Sequence, residues 1–419
     1  VRVYKNISGT WTQLGSDIDG EAANDYLGAS VSLSSDGTIV AIGAYGNDGT
    51  VSIYQYSSSS WSQLGADIDG EASGDYSGYS VSLSSDGTIV AIGASYNDGN
   101  GSNSGHVRVY KNISGTWTKI GADIDGEATF DYSGASVSLS SDGSKVAIGA
   151  FGNDGNGSDS GHVRVYSWDG TAWVQLGGDI DGETAYDNSG YSVSLSSDGT
   201  IVAIGARFND GDGSYAGHVK VYQYSDSSWS QLGSDIDGEA ADDYSGSSVS
   251  LSSDGTIVAI AATGNDGNGS NSGHVRVYQY SDSSWTQLGA DIDGEAAGDN
   301  SGTSVSLSSY GTKVAIGASY NDGTASNAGH VRVYNLPNPV ISSVSLAADN
   351  STITVTTSLG VYNSSGGSSD LEATDFTLSI SGGSATLTSA TPTSISKTSQ
   401  SIWVLGVGLT GIPTGAETL

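Results

Sequence analysis

The chain has no cysteine and no methionine in 419 residues, and only 4 prolines and 4 phenylalanines. Without a thiol there is no disulfide, no iron–sulfur cluster, no thiolate zinc site and no cysteine nucleophile. With no initiating methionine, and a start inside a strand-like run at Val1, the chain reads as a processed product or part of something longer. Basic residues are scarce too: 13 Lys and Arg stand against 46 Asp and Glu, a net charge of −33. Such a surface repels nucleic acid and anionic lipid and attracts cations, divalent ones above all. No run of ~20 apolar residues is long enough to cross a membrane, so direct membrane insertion is not expected.

What is present is glycine (62), tyrosine (23) and an abundance of serine, in a repeated order. The string Asp-Ile-Asp-Gly-Glu begins at Asp17, Asp67, Asp123, Asp179, Asp235 and Asp291, in steps of 50 and then 56 residues. The short first step has a local cause. The first unit reads NDGTVSIY after Tyr45-Gly46, where others read NDGNGSNSGHVRVY, so the length change falls in one loop.

Four strand-like runs recur in each unit. Ser-Val-Ser-Leu-Ser starts at Ser30, Ser80, Ser136, Ser192, Ser248 and Ser304. An apolar run such as Thr38 to Ala44 follows, then a run such as His106 to Tyr110, then one such as Trp11 to Gly15. Asp-Gly between the first two runs, as at Asp36-Gly37, predicts a two-residue hairpin turn with positive φ angles. Both faces of the second run are apolar, as expected of a strand sandwiched between neighbouring sheets. Four short antiparallel strands per ~50 residues, repeated, predict β-propeller blades, because one such sheet cannot bury its own faces. The expected fold is therefore all-β. The VRVY-type strand occurs seven times and the others six times. That favours seven blades, with six possible if the N-terminal strands complete the last blade.

The stretch from Gly74 to Tyr110 carries Ser77-Gly78-Tyr79-Ser80-Val81, then Val90 to Ala94, then Gly-His-Val-Arg-Val-Tyr. It resembles FG-GAP repeats of bacterial surface proteins and, more distantly, the integrin α-subunit propeller. The resemblance covers roughly residues 1–335 and implies a propeller used in adhesion or scaffolding. The integrin-type calcium loop lies between the first two strands. Here that place holds only the short Ser-Asp-Gly turn, which cannot wrap an ion, so no calcium site is carried over to it.

The sharpest chemical feature is an acidic loop repeated six times: Asp17, Asp19, Glu21 and Asp25; Asp67, Asp69, Glu71 and Asp75; Asp123, Asp125, Glu127 and Asp131; Asp179, Asp181, Glu183 and Asp187; Asp235, Asp237, Glu239 and Asp243; Asp291, Asp293, Glu295 and Asp299. Alternating carboxylates around a glycine turn could supply the six to eight oxygens that Ca²⁺ takes. They could equally cap turns and accept backbone N–H groups. Both readings stay open on the sequence, and Ile68 within the loop reads as a core plug. The Asn-Asp-Gly stretches read as turns. All five histidines (His106, His162, His218, His274, His330) share one repeat position, which the first unit lacks. That favours a repeated hydrogen bond to a neighbouring loop over a metal ring. Arg108, Arg164, Arg276, Arg332 and Lys220 are expected to pair with the acidic loops, and Trp11 and its equivalents to pack between blades. Tyr45, Tyr96, Phe151, Phe208 and Tyr320 precede the turns and could stack on sugars if they share a rim. Arg207, Trp168 and Tyr310 break the symmetry but are scattered and form no recognisable set.

The repeat ends at Tyr334, giving a propeller over residues 1–334. Residues 335–340 hold two prolines and read as a linker. Residues 341–419 alternate as strands and, in SDLEATDFTLSISGGSATLTSATPTSIS, resemble bacterial immunoglobulin-like domains, which implies a β-sandwich, here truncated. The expected function is non-enzymatic: an extracellular or cell-surface structural or adhesive module of a larger or filament-forming protein. Its partners would be surface or matrix proteins, copies of itself, or glycans; the alternative is a carbohydrate-binding propeller.

Overall fold

The structure is a computed structural model that describes residues 1–337, 341–347, 351–357, 371–380, 385–399 and 401–410. Each repeat folds into one antiparallel sheet. In the second, Ser77–Leu83, Ile89–Ala94, His106–Ile113 and Thr116–Lys119 lie side by side in that order. The register places Leu83 opposite Val90 and Ile92 opposite Arg108. A fifth, two-residue strand, Ile124–Asp125, pairs with the start of the third strand. It forms within the acidic stretch, which alternation alone reads as a loop. Its isoleucine is buried, as are Ile18, Ile68, Ile180 and Ile236.

The turn between the first two strands differs from the two-residue hairpin expected. Ser84 N–H donates to Ile89 O at 2.9 Å and Gly87 N–H to Ser84 O at 2.9 Å, closing a four-residue loop. Gly87 takes φ +69, whereas Asp86 is absent from the positive-φ residues. The aspartate acts through its carboxylate instead, accepting from the Ser84 hydroxyl at 2.7 Å and from Thr88 N–H at 2.9 Å.

Seven sheets follow one another: one of two strands (Tyr4–Ile7 and Thr10–Gln13), five of five strands, and one of three (Ser301–Leu307, Lys313–Ala318, His330–Asn335). The N-terminal pair forms its own sheet and does not complete the last one, which supports the seven-sheet count. Consecutive sheets share their cores. Val51 and Ile53 of one sheet pack with Val81, Leu83, Val90 and Ile92 of the next, and Val219 and Val221 repeat this against Val249, Leu251, Val258 and Ile260. Val90 and Ala91 are fully buried although they point to opposite faces, so both faces are covered as expected. Burial of that kind is worth roughly 1.5–3 kcal/mol per large apolar side chain.

Hydrogen bonds repeat the same step. Leu83 N–H donates to Ser32 Oγ of the preceding sheet at 2.9 Å, and Leu139, Leu195, Leu251 and Leu307 do likewise to Ser82, Ser138, Ser194 and Ser250. Toward the exposed fourth strands, the Trp61 indole donates to Leu14 O at 2.8 Å. Trp117, Trp173, Trp229 and Trp285 reach back one sheet in the same way. Gly93 shows how close the inner approach is: a Cβ there would lie 2.0 Å from Gly134 O of the next sheet. Residues of the first and last sheets (Arg2, Tyr4, Trp11, Val331 and Val333) face one cavity of about 480 Å³, an arrangement consistent with a propeller.

Beyond the repeats, Ile341–Leu346, Thr352–Thr357, Ile402–Gly406 and Ile395–Ser399 form a four-stranded sheet, and Thr386–Leu387 pairs with Leu409–Thr410. Ile353, Val355, Leu405 and Val407 form its core. Residues 338–340 of the expected linker lie outside the described residues. No described helix is long and apolar enough to cross a membrane.

Candidate functional site

One end of the sheets carries the turn between the first two strands, Ser-Asp-Gly in five of them and Ser-Tyr-Gly at Tyr310 in the last. The opposite end carries the Asn-Asp-Gly loops, the acidic loops and the start of the third strand. The four carboxylates of an acidic loop do not converge there; they go separate ways. Asp67 accepts from Gln63 Nε2 and Ser52 Oγ, both at 2.6 Å. Asp75 accepts from Asn97 Nδ2 at 2.7 Å, a buried contact, while Asn97 Oδ1 accepts from Gly99 N–H at 2.8 Å and closes the expected turn. Asp131 accepts from Ala128 N–H at 3.0 Å within its own loop. At this fourth position the carboxylate is a cap, one of the two sequence readings. At the second position, burial and the neighbouring Asp212 and Asp235 push the Asp237 carboxyl up.

The third carboxylate crosses to the next sheet. Glu71 pairs with Arg108, which also meets Asp123 at 3.3 Å. Arg164 joins Glu127 and Asp179, Lys220 joins Glu183 and Asp235, and Arg276 joins Glu239 at 2.6 Å and Asp291 at 3.6 Å. Arg332 meets Glu295. The pairing of basic strand residues with acidic loops is as the sequence suggests; that Arg108, Arg164, Lys220 and Arg276 each bridge two loops of different repeats is not visible there. The expected hydrogen bond of the histidines is not formed. His106 Nδ1 stands 4.0 Å from Glu71 Oε2, beyond bonding distance. Burial holds His106, His162, His218 and His274 below their ordinary pKa, so they are neutral at pH 7.

Four groups result, Glu71/His106/Asp123, Glu127/His162/Asp179, Glu183/His218/Asp235 and Glu239/His274/Asp291, each with potential metal-ligating atoms within 4.8 Å of one another. Each could hold a cation, and each already contains a guanidinium or ammonium. The first repeat differs. Thr50 and Ser52 stand where later repeats have His and Arg, opposite Ala44 and Ile42 in register. There Glu21, Asp25, Asn47, Thr50 and Ser52 line a cavity of about 140 Å³.

The same end carries a chain of aromatic rings through the first five repeats. Tyr26 stacks on Tyr45 at 5.3 Å, Tyr45 meets Tyr76 and Tyr79, Tyr76 meets Tyr96, and Tyr96 meets Tyr132. Tyr132 stacks on Phe151, which reaches Tyr191 at 5.9 Å. Arg207 then stands 3.6 Å over the Tyr191 ring and 4.4 Å over that of Phe208, which meets Tyr244. Arg207 therefore belongs to a set, contrary to its scattered look in sequence. Trp168 meets Trp173 at 5.4 Å with the rings tilted by 48°, and Tyr310 is exposed. Of the five aromatics singled out from sequence, Tyr45, Tyr96, Phe151 and Phe208 join the chain, whereas Tyr320 lies exposed in a different repeat.

Residues 66–110 match the FG-GAP repeat family, a span from one acidic loop to the third strand of the following sheet. No curated protein sequence matches the chain. Among solved structures, the fold is similar to that of a candidate 6-phosphogluconolactonase from Bacteroides uniformis: 14% identity, TM-score 0.53, covering 78% of this chain and 84% of that one. A second such protein, from Bacteroides fragilis, shows 13% identity and a TM-score of 0.49 over 78% of this chain and 83% of that one. At 14% identity the first likeness shows the fold alone. The chain is thus an all-β array of propeller-type sheets containing an FG-GAP repeat.

Proposed function

We propose that this chain is a non-catalytic structural or adhesive propeller working outside the cell or at its surface. The C-terminal sheets would serve as an immunoglobulin-like spacer, and the partners would be surface or matrix proteins or copies of the chain itself. The observation that supports this is the repetition of the Glu–His–Asp groups. Their carboxylates are already paired with Arg or Lys at each of several equivalent interfaces, whereas catalysis needs one cluster with distinct roles.

Calcium is the cation this reading assigns to the first repeat. The lining groups there offer oxygen donors with no imidazole and no internal cation, which suits a hard ion taking six to eight oxygens. Calorimetry in EDTA and then in excess Ca²⁺ tests this. At 100-fold saturation a bound ion adds about 2.7 kcal/mol, a rise of several degrees in melting temperature. Ser52→Arg, which supplies the guanidinium found at Arg108, is expected to remove the response. An unchanged melting temperature in the parent chain would dismiss the ion.

A further inference from the structure

The chain holds six arginines, and Arg2, Arg108, Arg164, Arg276 and Arg332 each meet a carboxylate. Arg207 does not: among the described residues it makes no ion pair, and its buried Nε has no hydrogen-bond partner. In a chain with a net charge of −33 an arginine without an acid stands apart. Equivalent positions hold Ser95, Thr263 and Ser319, so the fold does not require arginine there.

Around it the rim is lopsided. Tyr45, Tyr79, Phe151 and Tyr191 lie on one side, whereas the equivalent positions of the last two repeats carry hydroxyl pairs, Ser247 with Thr263 at 3.2 Å and Thr303 with Ser319 at 3.1 Å. Burial and the nearby Tyr191, Tyr96 and Tyr45 hydroxyls push the Tyr79 phenol up, and Arg207 pulls it down. Tyr26, Tyr76, Tyr132 and Tyr244 adopt φ of 54 to 56, a left-handed conformation costly for a bulky residue, where two other repeats use Asn188 and Asn300. Tyrosine held in this conformation in four repeats is an observed backbone cost on this rim.

We propose that this arginine–aromatic part of the rim binds a saccharide bearing a single carboxylate. Aromatic faces stack on the apolar face of a sugar ring, and a guanidinium engages a carboxylate through two parallel hydrogen bonds. One carboxylate suffices, since a polyanion would meet the repulsion of the whole chain. The inference gives the adhesive reading a ligand but does not depend on the cation.

Isothermal titration with a glucuronate-ended disaccharide and its glucose-ended counterpart tests it on the full chain. The acidic sugar is expected to bind about tenfold tighter than the neutral one, the worth of a charge-assisted pair. Arg207→Ser is expected to abolish that preference while the melting temperature and the calcium response stay unchanged. Arg207→Lys, which keeps the charge but loses the planar fork, should retain only part of it. Equal affinity for both sugars, binding of neither, or a preference that survives Arg207→Ser would overturn the proposal. The calcium response is read separately, so loss of sugar binding leaves the structural reading standing.

Discussion

Five fourth-strand indoles, those of Trp61, Trp117, Trp173, Trp229 and Trp285, each tie two sheets with one hydrogen bond, and Trp229 to Leu176 O at 2.7 Å is typical. Trp229→Phe keeps the ring packing and leaves that carbonyl without its donor. A loss of about 1 kcal/mol is expected, read as a lower urea midpoint at unchanged slope. The histidines give a pH signature. Their folded pKa lies below the ordinary 6.5 because burial disfavours the charged form. The unfolded chain therefore takes up protons first as the pH falls. Stability is whole above about pH 7 and declines as the pH drops through 6.5 toward the depressed folded values. Melting temperatures from pH 8 to 5 should fall, and replacing His106, His162, His218 and His274 by Gln should flatten the profile; a parent chain flat from pH 8 to 5 would contradict their burial as neutral groups. At this scale the sequence told much: a tryptophan in the same place in every unit means packing between units, and Trp61, Trp117, Trp173, Trp229 and Trp285 do so, whereas Trp11 of the N-terminal sheet is exposed. It could not tell that Glu71 would meet Arg108, because that pairing depends on how neighbouring sheets are offset. Arg207 looked isolated for a similar reason, since Tyr191 lies on a different strand.

Strands were easier to read than the turns and loops between them. Alternation and β-branching fix four strands per unit, and the apolar faces of Ile89–Ala94 announce burial on both sides. The Ser-Asp-Gly turn was misread because two residues of the right type do not reveal loop length; the serine and threonine flanking Asp86 draw its carboxylate inward and widen the loop. The pair Ile124–Asp125 was missed because two residues carry no period. Glycines of the second strand are explained by the neighbour's backbone. A Cβ on Gly149 would lie 2.0 Å from Gly190 O, against which Ser136 Oγ also donates at 2.8 Å. The fifth repeat carries Ala261 at this place, and there Ser248 Oγ accepts from Val305 N–H, a contact absent from the equivalent serines. Gly149→Ala is therefore expected to fold, at a cost of about 1–3 kcal/mol in forced backbone shift. A loss below 0.5 kcal/mol would show that the approach is looser than described.

At the scale of the molecule, the repeat period foretold a succession of like antiparallel sheets, and the uneven strand count foretold that the N-terminal strands form a sheet of their own rather than complete the last one. The acidic composition raised the expectation of bound cations, and the structure places Arg and Lys beside several of the carboxylates the sequence had offered to metal ions. Which repeat departs from the rule was legible in the missing histidine of the first unit; that its absence leaves a lined cavity was not, because volume follows from packing. Everything rests on the first and last sheets meeting. The chain has no cysteine, so one can be placed at Tyr4 and another at Val331, both exposed and both lining the shared cavity. A short bifunctional thiol reagent should then join them within single chains at high yield, independent of protein concentration, giving a looped species of altered gel mobility. Crosslinks formed only between chains, or none, would mean that the sheets stack in an open line.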